Sequence, residues 1–219
     1  MNRASFCAAH PDVHADVQRL FPAFDYHERG GHELDFRKPG NVVGHQQRAV
    51  TCYWGIECGG PLDLGLDLGS HRGLTPFAIH VDRWYDNKEA HPIYGGVAPA
   101  DLVGDASGAV LDALPDGAFP FVVSNHSLEH MPGPDSAIVD TLSRWLRKLR
   151  VGGALALVIP DNDRFDVLKS DVDHKSAWGA SDFMPRVLQP LLDRGGVHVS
   201  EFNTLANSFS FNVVLRRAV

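Results

Sequence analysis

Three side chains that can exchange protons or bind a metal ion lie within five residues of one another, in the segment SNHSLEH at 124–130. His126 precedes Glu129 by three positions and His130 by four, so a helical turn would place all three on one side. Imidazole titrates near physiological pH and is also the commonest metal ligand in proteins. The segment therefore predicts general-base or metal-assisted chemistry at these three residues.

A further candidate ligand lies in the sequence DVDHKSAW at 171–178. His174 from this sequence would complete a metal-binding set with His126, Glu129 and His130. Three imidazoles and one carboxylate favour a borderline metal such as Zn, Mn, Fe or Ni over Mg. The ion would lower the pKa of a substrate hydroxyl. Two alternatives stay open: a metal-free site with His126 or His174 as general base, and a structural role for the whole group.

The chain around these residues alternates short apolar runs with helical patterns, which is typical of a parallel sheet with crossover helices. Strands are predicted at 64–68, 77–81, 101–103, 121–124 and 154–159. Helices are predicted at 135–149 and 182–192, with Ser181 or Asp182 as the N-cap of the second. Alternation over 197–219 predicts an antiparallel hairpin. The predicted fold class is α/β: a doubly wound, Rossmann-like, mostly parallel sheet with a C-terminal antiparallel hairpin.

Several polar residues directly follow the predicted strands. In an open doubly wound sheet the ligand crevice lies outside the carboxyl ends of the strands. Gly69 fits a tight turn that lets a ligand approach the backbone. Asp82 is placed to accept hydrogen bonds from two ribose hydroxyls, and Asp105 can accept one from an exocyclic amine. The pattern therefore predicts a nucleoside at this edge of the sheet.

Five segments occur in one order along the chain: LDLGSHRG, AIHVD, VGDAS, FVVSNHSLEHMPGP and LRKLRVGGALALVIPD. Over about residues 62–192 they resemble the successive motifs of class I S-adenosylmethionine-dependent methyltransferases. The likeness is narrower to a type 11-like branch with a shortened connection between the first and second strands. The resemblance implies S-adenosylmethionine as cofactor. The residues implied to contact it are Asp67, Gly69, Ser70, Asp82, Arg83, Asp105, Ala106 and Asn125.

The spacing of His126, Glu129 and His130 is similar to a second pattern. It resembles the Glu-x-x-Glu-His metal motif of small-RNA 2′-hydroxyl methyltransferases and of certain ubiquinone-pathway O-methyltransferases, with His126 replacing the first Glu. In the small-RNA enzymes a further His comes from the loop after the fifth strand, where His174 lies here. The resemblance implies a divalent metal as a second cofactor. The candidate catalytic residues are accordingly His126, His130 and His174.

The net charge of the chain argues against some classes of binding partner. The 219 residues contain 20 Lys plus Arg against 27 Asp plus Glu, a net charge of −7 at pH 7. This balance argues against nucleic acid or an anionic membrane as partner. The three cysteines lack a CxxC spacing, and no apolar run approaches the ~20 residues that span a bilayer. With no leader-like start at its N-terminus, we expect a cytoplasmic protein, with 1–60 as an N-terminal cap and 61–219 as the methyltransferase domain.

These observations predict methyl transfer to an oxygen of a hydroxylated small molecule, sugar or glycan. The branch that the chain resembles often acts in polysaccharide or secondary-metabolite biosynthesis. His71 at the expected position of a middle glycine, together with the shortened connection, favours an alternative: a catalytically silent module that binds cofactor or a partner chain. A nicotinamide-dependent oxidoreductase is disfavoured, because a pyrophosphate needs a glycine turn that leads into a helix N-terminus.

Overall fold

A computed structural model describes residues 65–70, 78–83, 102–204 and 210–219. The predicted cap at 1–60 lies outside the described residues, and so do His71 and the predicted strand starts at 64, 77 and 101. The site residues predicted above all lie within the described ranges.

Seven described strands form one sheet. They are β1 (Gly65–Leu68), β2 (Ala78–Asp82), β3 (Leu102–Val103), β4 (Phe119–Asn125), β5 (Leu149–Pro160), β6 (Val197–Thr204) and β7 (Ser210–Arg217). The order across the sheet is β3-β2-β1-β4-β5-β7-β6. The first five strands pair in parallel, whereas β7 is antiparallel to both β5 and β6. The predicted fold class is confirmed, including the C-terminal hairpin.

Helical segments flank the sheet. They are α1 (Asp135–Lys148), α2 (Val167–Ser170), α3 (Ala180–Phe183) and α4 (Gln189–Asp193), with a π-helical turn at Met184–Leu188 between α3 and α4 and 3-10 turns at Ala109–Ala113 and Leu128–His130. Helix α1 lies where the apolar period predicts it, and it buries Ile138, Leu142 and Trp145. The indole Nε1 of Trp145 donates to the carbonyl of Ala106 at 2.8 Å, which ties α1 to the segment after β3.

The predicted N-cap of the second helix is wrong. The helix begins at Ala180 with Gly179 as its N-cap, because two acidic side chains of the preceding loop satisfy its first amides. The amide of Ala180 donates to Asp161 Oδ1 at 3.0 Å, and that of Ser181 donates to Asp163 Oδ2 at 2.8 Å. Capping by side chains that lie 18 and 19 positions earlier in the loop therefore moves the helix start toward the N-terminus.

The two central strands, β4 and β5, are buried on both faces. Val122, Leu155 and Leu157 belong to the larger core cluster, while Val123 and Ala156 belong to a second, smaller cluster. This burial explains why both strands are continuous apolar runs in the sequence. It also fixes the carboxyl ends of β4 and β5, from which the candidate site is built.

Among the residues described, no helix combines the length and apolar character that crossing a membrane would require.

Candidate functional site

The turn after β1 touches the segment after β4. Gly69 has φ +75°, a conformation that glycine adopts without steric penalty. A Cβ at this position would lie 2.1 Å from Ser127 Oγ, so a larger residue would displace Ser127. The amides of Gly69 and Ser70 both donate to the carbonyl of Val81, at 2.9 and 3.3 Å. These hydrogen bonds attach the residues that follow β1 to the carboxyl end of β2.

Two predicted nucleoside-binding carboxylates lie at the ends of neighbouring strands. Asp82 ends β2 and is buried, and its carbonyl accepts from the amide of Gly104 at 2.9 Å. Asp105 follows β3 and is exposed. Its Oδ1 accepts from the amide and hydroxyl of Ser107, at 2.8 and 2.6 Å. The Asp105 carboxylate is thus held by local hydrogen bonds, and the backbone of Asp82 is held by β3, at the edge where the sequence predicts ribose and adenine.

The other predicted cofactor contacts differ in accessibility. Asp67 is buried inside β1, where its Oδ2 lies 3.3 Å from Nδ1 of His80, the residue directly opposite on β2. Arg83 is exposed just after β2, whereas Asn125 is buried at the end of β4. Ala106 is also buried, and its carbonyl is occupied by α1. Asp82, Arg83 and Asp105 are therefore the charged members of this predicted set at the strand ends.

The loop after β5 is fastened to the 3-10 turn that carries Glu129. The carbonyl of Glu129 accepts from the amides of Lys175 and Ser176, at 2.8 and 2.9 Å. The hydroxyl of Ser176 donates to the carbonyl of Met131 at 3.1 Å. These bonds bring His174 to the site, as the sequence predicts.

Glu129, His130 and His174 form a compact group, here called the Glu-His-His cluster. One potential ligand atom from each lies within 4.8 Å of the other two. The rings of His130 and His174 meet edge to face, with their centroids 4.7 Å apart. Nε2 of His174 lies 3.9 Å from Oε1 of Glu129. The separations suit three ligands of one cation.

Backbone carbonyls orient both imidazoles of the Glu-His-His cluster. Nδ1 of His174 donates to the carbonyl of Val167 at 2.7 Å, and Nδ1 of His130 donates to that of Asp173 at 3.3 Å. A hydrogen on Nδ1 of a neutral imidazole leaves a lone pair on Nε2. Such outer hydrogen bonds fix the tautomer and ring orientation of metal-binding histidines.

The Glu129 carboxyl group has the properties of a cation ligand. Its side chain is 1% exposed, and neither carboxyl oxygen has a hydrogen-bond partner among the described residues. Buried polar atoms are normally hydrogen-bonded, because an unpaired one costs about 1–3 kcal/mol. A divalent cation bound by Glu129 would satisfy these oxygens.

His126 lies beside the cluster but has a different partner. Its φ of +50° is in the left-handed region, so it does not continue the 3-10 turn that begins at Leu128. Its Nε2 lies 2.8 Å from Ser210 Oγ, and its Nδ1 lies 3.5 Å from Glu129 Oε1. Sequence reasoning missed Ser210 because it is 84 positions from His126, in the last strand.

Burial suppresses charge in this group of side chains. Desolvation raises the pKa of Glu129 to about 8, with a smaller contribution from the Asp171 carboxylate. Desolvation, together with smaller contributions from the nearby His174 and His130, lowers the pKa of His126 to about 3. The pKa of His130 is also lowered, mainly by burial and then by His174. A base with so low a pKa accepts protons poorly at neutral pH, which weakens the metal-free general-base role for His126.

The raised pKa of Glu129 predicts a pH dependence of stability. Between its ordinary pKa of 4.5 and about 8, the folded state binds more protons than the unfolded state. The free energy of unfolding of metal-free protein therefore falls as pH rises, by at most about 1.4 kcal/mol per pH unit. Urea unfolding at pH 6.5 and 8 should show a steeper fall for wild type than for Glu129→Gln. Parallel pH profiles would contradict the assignment.

Comparisons with known proteins identify the fold. No family model matches the sequence, and no curated protein matches it either. Among solved structures, a SAM-dependent methyltransferase from Archaeoglobus fulgidus has 17% identity and a TM-score of 0.58, covering 87% of this chain and 100% of its own. The 1,6-didemethyltoxoflavin-N1-methyltransferase of Burkholderia thailandensis, solved with S-adenosylhomocysteine, has 16% identity and a TM-score of 0.53, covering 95% and 91%.

The mitomycin 7-O-methyltransferase MmcR is a third similar structure, with 19% identity and a TM-score of 0.55, covering 90% of this chain and 60% of its own. The fold predicted from the sequence motifs is confirmed by these likenesses. The chain has the fold of class I S-adenosylmethionine-dependent methyltransferases.

Proposed function

We propose that this protein is an S-adenosylmethionine-dependent methyltransferase that methylates an oxygen of a hydroxylated acceptor. The observation that carries the proposal is the contact between Gly69 and Ser127. It joins the turn predicted to bind the nucleoside to the segment that holds Glu129 and His130. Cofactor and acceptor chemistry would therefore meet at one edge of the sheet, as in-line methyl transfer requires.

The strand-end carboxylates would hold the cofactor. Asp82 would accept hydrogen bonds from the two ribose hydroxyls, and Asp105 would accept one from the adenine amine. S-adenosylmethionine supplies an activated methyl group when bound, so positioning accounts for most of the acceleration. Gly69 makes room for Ser127 beside the predicted cofactor site, and Arg83 beside Asp82 would line the same edge.

The Glu-His-His cluster would hold a divalent cation. Two imidazoles and one carboxylate are a donor set for borderline metals such as Zn, Mn or Fe. A bound cation supplies Lewis acidity, which lowers the pKa of an acceptor hydroxyl. The chain's own contribution is to orient both rings through the carbonyls of Val167 and Asp173. The buried Glu129 carboxylate would keep the ion in place.

The acceptor is proposed to be a polar hydroxylated small molecule, sugar or glycan. One similar structure, the mitomycin 7-O-methyltransferase MmcR, is by its name an enzyme that methylates an oxygen of a small molecule. The net charge of −7 disfavours a nucleic acid acceptor.

A catalytically silent module that binds cofactor or a partner chain is the second candidate. It is favoured by the amides of Gly69 and Ser70, which both donate to the Val81 carbonyl. Amides already bonded in this way are less available to the carboxylate of a methionine moiety.

Transfer of tritium from [methyl-³H]S-adenosylmethionine to a panel of phenols, sugars and glycans tests the proposal. We expect tritium in a hydroxylated acceptor, in a methyl group that stays attached in acid.

His174→Ala should lower kcat by roughly 10- to 100-fold, because an oriented ligand is lost, while the Kd for S-adenosylhomocysteine changes less than twofold. His198→Ala, an exposed histidine on β6, is the matched control. Cofactor binding without transfer to any acceptor would favour the silent module.

A further inference from the structure

We infer that Ser210 and His126 form an outer pair that orients the Glu129 carboxylate for the metal. Ser210 Oγ lies 2.8 Å from His126 Nε2, and His126 Nδ1 lies 3.5 Å from Glu129 Oε1. His126 is then a positioning residue rather than a fourth ligand. The inference rests on the metal centre of the proposed function, and it adds a residue that the sequence did not indicate.

The side chains of the pair and of Glu129 are largely shielded from solvent. Ser210 is fully buried, Glu129 is 1% exposed, and the His126 side chain is 12% exposed. Ser210 begins β7 directly opposite Pro160 at the end of β5, so the sheet fixes its position. The imidazole of His126 lies between a hydroxyl and a carboxyl group, so each ring nitrogen faces one specific neighbour.

The chemistry of the three groups selects one tautomer. An ionised carboxylate that binds a cation can only accept hydrogen bonds, so His126 Nδ1, 3.5 Å away, would bond to it only when that nitrogen carries the hydrogen. In a neutral imidazole the other nitrogen, Nε2, is then an acceptor. Ser210 has a hydroxyl that can donate to it. Donation from Ser210 Oγ to Nε2 is compatible with this tautomer and would hold the ring so that Nδ1 faces the Glu129 carboxylate.

The backbone of His126 supports a dedicated role. A non-glycine residue in the left-handed region is uncommon, and such strain persists where surrounding structure holds it. Here the amide of His126 donates to the carbonyl of Val158 at 2.9 Å, which keeps the residue against β5. The conformation places the ring between Ser210 and Glu129, and this placement is what the strained backbone achieves.

One oxygen of Glu129 links the pair to the cluster. Oε1 is the atom that lies 3.5 Å from His126 Nδ1 and 3.9 Å from His174 Nε2. Anchoring Oε1 from the His126 side would keep the carboxyl group from rotating away from His174. Outer hydrogen bonds to metal ligands are typically worth about 10- to 100-fold in metal affinity, and the 3.5 Å contact of His126 Nδ1 with Oε1 would become one when the carboxylate binds the ion.

Zinc affinity, measured by competition with a chromophoric chelator, tests the pair in the full chain. We expect Ser210→Ala to weaken the tightest Zn²⁺ site by about 10- to 100-fold, and Ser210→Thr, which keeps the hydroxyl, to restore most of the affinity. Ser200→Ala is the matched control, because this β6 hydroxyl donates to the carbonyl of Val214 in the same hairpin. Its Zn²⁺ affinity should equal that of wild type.

The results separate the inference from the proposed function. Equal Zn²⁺ affinity of Ser210→Ala and wild type, or an equal loss in Ser200→Ala, would overturn the pair. Wild-type protein that transfers methyl groups but binds no Zn²⁺ would also overturn it, while leaving methyl transfer intact.

A measurement on wild type does not depend on the folding of any variant. Nitrogen-15 NMR of the Zn²⁺-loaded protein should show His126 as the neutral tautomer with hydrogen on Nδ1. The tautomer with hydrogen on Nε2 would contradict the inference.

Discussion

Protein purified without a histidine tag or chelator is expected to contain a divalent metal ion, and Glu129→Gln is expected to lose it. The variant replaces a buried carboxylate by a neutral amide of nearly the same shape, so the two imidazoles lose the only anionic ligand of the Glu-His-His cluster. Elemental analysis should give close to one metal ion per wild-type chain and only background in the variant. We expect the metal affinity to fall by at least about 100-fold.

The control for this change is Glu201→Gln, on β6. The Glu201 carboxylate accepts from the side-chain amide of Asn212 at 3.0 Å and lies outside the cluster. It should keep the wild-type metal content. Wild-type protein that is free of metal and fully active in methyl transfer would contradict a role for the metal in the reaction.

Asp82→Ala is expected to weaken S-adenosylhomocysteine binding by about 1–3 kcal/mol, because a buried, charge-assisted hydrogen bond to the ribose is lost. This corresponds to roughly 5- to 150-fold in Kd. The backbone of Asp82 pairs with β3, and its carbonyl accepts from the amide of Gly104. The substitution leaves both interactions in place, so the strand end should keep its shape.

Isothermal titration calorimetry provides the measurement. Asp112→Ala is the matched control, since this exposed carboxylate lies in the 3-10 turn after β3 and contacts only Arg144, at 3.9 Å, among the ion pairs described. We expect its Kd to equal that of wild type. An Asp82→Ala protein that binds as tightly as wild type would place the ribose elsewhere.

Much of the fold can be predicted from the sequence because burial on both faces makes β4 and β5 continuous apolar runs. The strand bounds are less predictable. β5 begins at Leu149, five residues before the predicted 154, because Leu149 pairs with Phe119 ahead of a register shift in the ladder. The exposed residues 150–152 within that shift carry no apolar pattern. Local sequence therefore cannot show that they belong to the strand.

Some residues of the candidate site could likewise be predicted from the sequence, and others could not. Glu129, His130 and His174 could be predicted because the first two share one short motif and the third lies in the loop after the next strand. The predicted helical turn through His126 fails at the left-handed backbone of that residue, which no spacing rule reveals. The part played by Ser210 depends on the antiparallel pairing of β7 with β5. That pairing is a long-range property of the sheet.

A crystal structure of the protein bound to S-adenosylhomocysteine would show directly whether a nucleoside lies at the strand ends. We expect the ribose hydroxyls within hydrogen-bonding distance of the Asp82 carboxylate and the adenine beside Asp105. We also expect the sulfur to face the segment that holds Glu129. A nucleoside bound elsewhere on the chain, or strand ends that stay closed to it at saturating concentration, would contradict the account.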